Sequence, residues 1–153
     1  MSEINIGDTA RDSITGFEGV VIGFTDYLHN CRRPILQPKT LKDGKPIDNR
    51  SFDLPSVELV ARGDGSYQPP PPRPFGLGDV VRDKVTGFEG VLVSRTEWSN
   101  GCDRYSVQST QMHEGKPIDA EGFDGIALEL VKSASPKPAA VKAGGPRPEP
   151  KRR

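Results

Sequence analysis

Cysteine and histidine are scarce in this sequence, two of each in 153 residues, and that scarcity excludes much chemistry. There is no Cys-x-x-Cys pair, so neither a zinc ribbon nor a thiol–disulfide exchange motif can be written. No apolar run approaches the roughly 20 residues needed for a bilayer-spanning helix. The phosphate-cradling Gly-x-x-x-x-Gly-Lys-Ser/Thr loop and the dinucleotide fingerprint are both missing. No segment sustains a 3.6-residue apolar period, which leaves no place for a long amphipathic helix. The N-terminus lacks a basic–apolar signal pattern, and the chain reads as soluble and cytosolic. Net charge is absent as well, with 21 basic residues against 21 acidic ones.

What is present is one phrase, twice. Gly-Asp-x-x-Arg-Asp-x-x-Thr-Gly-Phe-Glu-Gly-Val runs from Gly7 to Val20 and again from Gly78 to Val91. Each copy opens a module of roughly 55 residues, and the two align without a gap from Gly7 on Gly78 to Val60 on Val131. About 24 of the 54 aligned positions are identical. A module this small buries only about 60% of its unfolded surface, so packing of the two together, or self-association, is expected. Hydrophobic residues at 33%, with 17 glycines and 15 prolines, point to short strands and many turns.

Within a module the pattern is all-β. Thr9-Ala10-Arg11 and Val80-Val81-Arg82 read as a first strand. Asp12 to Gly16 and Asp83 to Gly87 read as a tight connection, in which an Asp accepts backbone amides and a closing Gly takes positive φ. Phe17 to Tyr27 and Phe88 to Trp98 form the longest strand, with Gly19 and Gly90 permitting a bend or a close backbone approach. Phe24 in the first copy is Arg95 in the second, a position expected to face solvent or the neighbouring module in one copy only. The next strand is Cys31–Gln37 or Cys102–Gln108, with Arg33 and Gln37 on one face and Leu36 on the other. Asp43-Gly44-Lys45-Pro46 and Glu114-Gly115-Lys116-Pro117 are turns joining two strands. A single helical turn is expected near Leu54–Ser56 and Gly125–Ala127, before a last strand.

These features divide the chain into a first barrel at 1–60, a Pro/Gly linker at 61–76, a second barrel at 77–132 and a disordered basic tail at 133–153. Pro69 to Pro72 favour an extended polyproline II spacer, and Arg62-Gly63-Asp64 is read as a chance match to an adhesion tripeptide. From Lys132 onward there are seven basic residues and one acid, so the tail is +6 and the rest of the chain −6. Any contact with nucleic acid is therefore assigned to the tail, at Lys151, Arg152 and Arg153.

The strand order, Gly-Asp entry, Gly-interrupted second strand and helical turn before the last strand resemble an SH3-like barrel of the KOW or Tudor-like type. The repeated phrase, an aromatic followed by Asn and Cys, and the tail's Gly144-Gly145-Pro146-Arg147-Pro148 resemble a family of small uncharacterised proteins of tailed bacteriophages and prophages. That resemblance implies a phage accessory protein in the host cytoplasm and brings no established activity with it.

Catalytic readings find little support. His29 aligns with Asn100 and His113 with Lys42, so no duplicated metal or acid–base site can be drawn. Cys31 and Cys102 are equivalent, and each is read as a small buried core side chain. No enzyme activity, cofactor or metal is assigned. The binding reading rests on Tyr27 and Trp98, equivalent rings beside a variable loop, with Arg33, Gln37, Arg104 and Gln108 on the adjacent strand. Such a set could stack and hydrogen-bond a ligand. Alternatively the rings cap the core while the arginines pair with Asp12 or Asp83. Three functions follow: engagement of a host protein or small ligand, a structural part of a phage particle, or nucleic-acid binding through the tail.

Overall fold

The computed structural model describes residues 3–134, and these are all-β. The first repeat contains β1 (Thr9–Asp12), β2 (Glu18–Tyr27), β3 (Arg32–Gln37), β4 (Leu41–Lys42), β5 (Lys45–Pro46), β6 (Arg50–Ser51) and β7 (Val57–Ala61). The second repeats them as β8 (Val80–Asp83), β9 (Glu89–Trp98), β10 (Asp103–Gln108), β11 (Met112–His113), β12 (Lys116–Pro117), β13 (Glu121–Asp124) and β14 (Leu128–Lys132). A 3₁₀ turn precedes each last strand, at Leu54–Ser56 and Gly125–Ala127, where the sequence placed it. In each repeat the first strand pairs with the last and with the long second strand, which pairs in turn with the third. No ladder joins β6 to β7 or β13 to β14, so neither repeat closes into a continuous hydrogen-bonded barrel.

The Asp, Thr and Gly positions of the repeated phrase build the turns and close approaches of each repeat. Asp12 accepts the Thr15 amide and hydroxyl at 2.9 and 2.6 Å, and Asp83 does the same with Thr86 at 2.9 and 2.5 Å. Gly16 and Gly87 close these turns with φ of 77° each. A side chain at Gly19 would stand 2.5 Å from the carbonyl of Gln37, and Gly90 faces Gln108 in the same way. The opening Asp is more than a turn residue. Asp8 accepts the amides of Asn5 and Gly63, and Asp79 those of Gly76 and Ala134, so each ties the entry of its repeat to the exit. Arg62 also reaches Asp8, at 2.9 Å, so the Arg and Gly of the Arg-Gly-Asp tripeptide belong to this clamp, while Asp64 accepts the Ser66 amide. Burial raises the Asp8 carboxyl pKa, but the bonds from Gly63, Asn5 and Arg62 outweigh it and hold the group below its ordinary value.

Simple alternation fails midway along the long strands. The β2–β3 register slips between Val21 and Gly23, and β9 carries the matching irregularity between Leu92 and Ser94. This bulge lets Val21 and Phe24, three residues apart, both enter the first core with Ile6, Ala10, Leu36 and Val57. It also turns Gly23, Thr25 and Tyr27 to the opposite, outer face. The second core holds Phe75, Val81, Leu92, Tyr105, Val107 and Leu128. Arg95 stands where Phe24 does, and the missing ring is supplied by Tyr105, edge-on to Phe75 at 5.3 Å.

The two repeats share one ten-stranded sheet because β2 and β9 pair antiparallel. Gly23 faces Trp98, Phe24 faces Glu97, Thr25 faces Thr96, Asp26 faces Arg95 and Tyr27 faces Ser94. Thr25 and Thr96 are equivalent residues 71 apart, and their hydroxyls meet at 2.9 Å. The seam is thus a pseudo-two-fold axis within one chain. Two marginal modules bury an edge strand against each other, which removes an aggregation-prone edge from both.

Three expectations change. Phe24 and Arg95 both lie at the seam, Phe24 buried at 1% exposure and Arg95 half-buried with its Nε 3.2 Å from the Tyr105 hydroxyl. Cys31 and Cys102 are exposed and unbonded, not core residues. They sit where the chain turns back, and it is their carbonyls that act, accepting the amides of Tyr27 and Trp98. The 61–76 segment is no detached spacer. Tyr67 packs on the first core and donates to Glu97 of the second repeat; Pro70 and Phe75 are buried. Arg73 forks onto Asp103 with two 3.0 Å bonds. The tail beyond residue 134, with Lys151, Arg152 and Arg153, lies outside the described residues.

Candidate functional site

The seam has two faces of different chemistry. On the inner face Phe24, Asp26, Arg95 and Glu97 meet under the 61–76 segment. Arg32 donates from its Nη1 to both Asp26 carboxylate oxygens, at 2.9 and 2.8 Å, with its guanidinium 4.1 Å from the Phe24 ring centroid. The equivalent of Arg32 is Asp103, buried at 3% exposure and held by Arg73. Burial pushes the Asp103 carboxyl up, yet the Arg73 bonds and charge, with Arg95 nearby, leave it below its ordinary value. Burial and then Glu97 push the Tyr67 phenol upward, so it stays a donor. The charges of this face are spent on one another.

The outer face carries no charge at the seam positions. It presents Tyr27, Thr25 and Gly23 from β2 beside Ser94, Thr96 and Trp98 from β9. Both aromatic rings therefore lie on the face that period-2 counting assigned to Arg33, Gln37, Arg104 and Gln108. The structure does not assemble the six into one pocket. Gln37 donates to the Ile47 carbonyl and Gln108 to that of Ile118, at 2.6 Å each, fastening the β4–β5 and β11–β12 hairpins. Arg33 reaches Asp53 at 3.3 Å and the Ser51 carbonyl at 3.1 Å; Arg104 reaches Asp124 at 3.3 Å. Asp12 and Asp83, the partners first considered for these arginines, are committed to their threonines. Trp98 and Arg104 do share a shallow hollow of about 150 Å³ with Thr96, Ser106 and Gly122.

The two rings are seated differently. Trp98 lies over Gly23, where a side chain would meet its Cε3 at 3.1 Å. Tyr27 lies over Ser94, is 40% exposed, and borders a cleft of about 400 Å³ lined by Leu28, His29, Val93, Ser94, Ser106 and Ala120. Leu28 and His29 belong to the loop where the repeats disagree, so their involvement was legible. Ser94, Ser106 and Ala120 were not singled out, although an Ile35-to-Ser106 difference between aligned strands was there to be read.

Among the described residues no three His, Cys, Asp or Glu side chains gather as a metal-binding group. No helix of the described residues is long and apolar enough to cross a membrane. No protein-family model matches this chain, and no match was found among curated proteins or solved structures.

Proposed function

We propose that this is a non-enzymatic binding protein of a phage or prophage, acting in the host cytoplasm, whose two SH3-like modules engage a partner across their shared seam. The barrel reading draws on the shared strand order of the two repeats, the glycine where the long strand passes close to its neighbour, and the 3₁₀ turn before the last strand. The phage reading draws on the resemblance of the repeated phrase.

One observation carries the binding reading. Two equivalent rings, Tyr27 and Trp98, cross the seam in opposite directions, and Tyr27 borders the larger cleft, about 400 Å³ against the hollow of about 150 Å³ beside Trp98. Acidic modules with that cleft suit a protein or small uncharged ligand better than nucleic acid, whose contacts fall to the tail. The test is affinity capture from host lysate with the full chain, followed by protein and small-molecule mass spectrometry of the denatured eluate. A partner retained by an Ile14→Ser variant, altered at a remote turn, but lost by Tyr27→Ala supports the reading. A partner that survives Tyr27→Ala and disappears when residues 135–153 are removed places binding in the tail instead.

A further inference from the structure

The two halves of the seam are built from equivalent positions, and one half shows what the other lacks. Under Trp98 a rung of the sheet runs Ser51, Ile35, Gly23, Trp98 across β6, β3, β2 and β9. Ile35 is 6% exposed. Its Cδ1 and the Trp98 Cε3 converge on bare Gly23, 3.4 and 3.1 Å from where a Cβ would stand. An aliphatic side chain and an indole therefore share the space above the glycine.

The twin rung runs Gly122, Ser106, Ser94, Tyr27 across β13, β10, β9 and β2. Ser106 occupies the place of Ile35, Gly122 that of Ser51, and a phenol replaces the indole. The hydrocarbon that fills one half is missing from the other, and the cleft of about 400 Å³ lies there. The vacancy stands where an aliphatic side chain fills the twin.

We propose that the cleft beside Tyr27 is a socket for one branched aliphatic side chain, isoleucine, leucine or valine, presented by a partner protein. The inference rests on the seam being the binding surface and narrows the partner to a polypeptide. Leu28, Val93, Ala120 and Tyr27 supply apolar lining, and Ser94 and Ser106 complete it. His29 is the sole ionisable residue among the lining apart from the Tyr27 phenol, so a phosphate finds no paired cations there. A base would find one ring and no second face to stack on. The cleft is also continuous with the β2–β9 interface, since Tyr27 and Ser94 are partners in that ladder. An entering side chain extends the packing that already joins the repeats, as a buried anchor does at a protein interface.

The experiment is a titration of the isotope-labelled full chain with N-acetyl-isoleucine-N-methylamide, read from backbone amide shifts. The glycine and phenylalanine analogues and adenosine monophosphate are run in parallel. The isoleucine probe is expected to move the amides of Leu28, Ser94, Ser106 and Ala120 at roughly tenfold lower concentration than the glycine probe. Ser106→Ile copies the twin; it should melt no lower than the parent chain and lose the response, and Ser106→Val gives a smaller plug if isoleucine overfills. If the phosphate-bearing or phenylalanine probe moves these amides and the isoleucine probe does not, the seam still binds but the aliphatic socket is wrong. An unchanged response in both folded plug variants also overturns it. If no probe moves any seam residue, the socket and the binding reading fall together. Cleft amides that shift on diluting the protein alone, or on removing residues 135–153, name a second copy or the chain's own tail as occupant and overturn the partner assignment.

Discussion

The first repeat carries hydrocarbon up to the seam, whereas the second gives up a ring there and builds a polar network. Phe24 becomes Arg95, Arg32 becomes Asp103, Pro34 becomes Tyr105, Gly23 becomes Ser94 and Ile35 becomes Ser106. All five changes fall on the strands that meet at, or next to, the axis. The turn aspartates, the close-approach glycines and the hairpin-fastening glutamines are identical and make the same bonds in both copies. After duplication, then, the frame is held while the contact rows diverge. A symmetric seam would offer two equal clefts or none. This one offers a filled half and an open half.

The comparison can be broken at the shared frame with the largest effect. Gly90→Ala forces a Cβ into the Gln108 backbone and should destabilise the protein by more than about 4 kcal/mol, reading as loss of the cooperative thermal transition. Gly19→Ala should behave alike, since the frame is the same.

The equivalent pair Phe24 and Arg95 should then separate. Phe24→Ala opens a cavity in the first core and is expected to cost about 3–5 kcal/mol in chemical denaturation. Arg95→Ala should cost about 1 kcal/mol, because Tyr105 and Phe75 hold the second core without it. A smaller contrast is expected between Asp103 and Arg32. Asp103→Ala unpairs a buried fork and should cost about 2 kcal/mol, whereas Arg32→Ala at the equivalent exposed site should cost under about 1 kcal/mol.

Asp8, Asp12, Asp83 and Asp103 are all held below their ordinary carboxyl values when folded. The stability they contribute is therefore complete above the unfolded value near 3.9 and is lost as pH falls through the folded values. The melting temperature should be level from about pH 7 to 5 and decline below about pH 4. A decline that began on the neutral side would contradict this window. The smallest effect is expected from the exposed pair of Arg104 and Asp124: Arg104→Ala should stay within about 0.5 kcal/mol of the parent chain, and Arg33→Ala, at a half-buried site, within about 1 kcal/mol.

Most of the frame was legible because its chemistry is local. An Asp three residues before a Thr, or a Gly with positive φ, declares a turn without knowledge of the rest of the chain. The bulge at Ile22 and Val93 was not legible: a run of apolar residues shows no slip in alternation, and only the partner strand reveals it. The seam was hidden for the same reason. Thr25 and Thr96 are ordinary strand residues until the axis brings them together. The docking of 61–76 was obscured by its prolines, although Tyr67 and Phe75 are apolar anchors on either side of them. Cysteine as a residue type argues for the core, but Cys31 and Cys102 follow the turn residues Asn30 and Gly101, and that position leaves both exposed.

The most direct measurement sets Tyr27→Ala against Trp98→Ala, recording the melting temperature and the retention of the captured partner for each full-length variant. Tyr27→Ala should melt close to the parent chain and lose the partner; Trp98→Ala should melt several degrees lower, by about 4–8 °C, and keep it while folded. The reverse pattern, with Tyr27 needed for stability and Trp98 for capture, would contradict the assignment of the open half of the seam as the site.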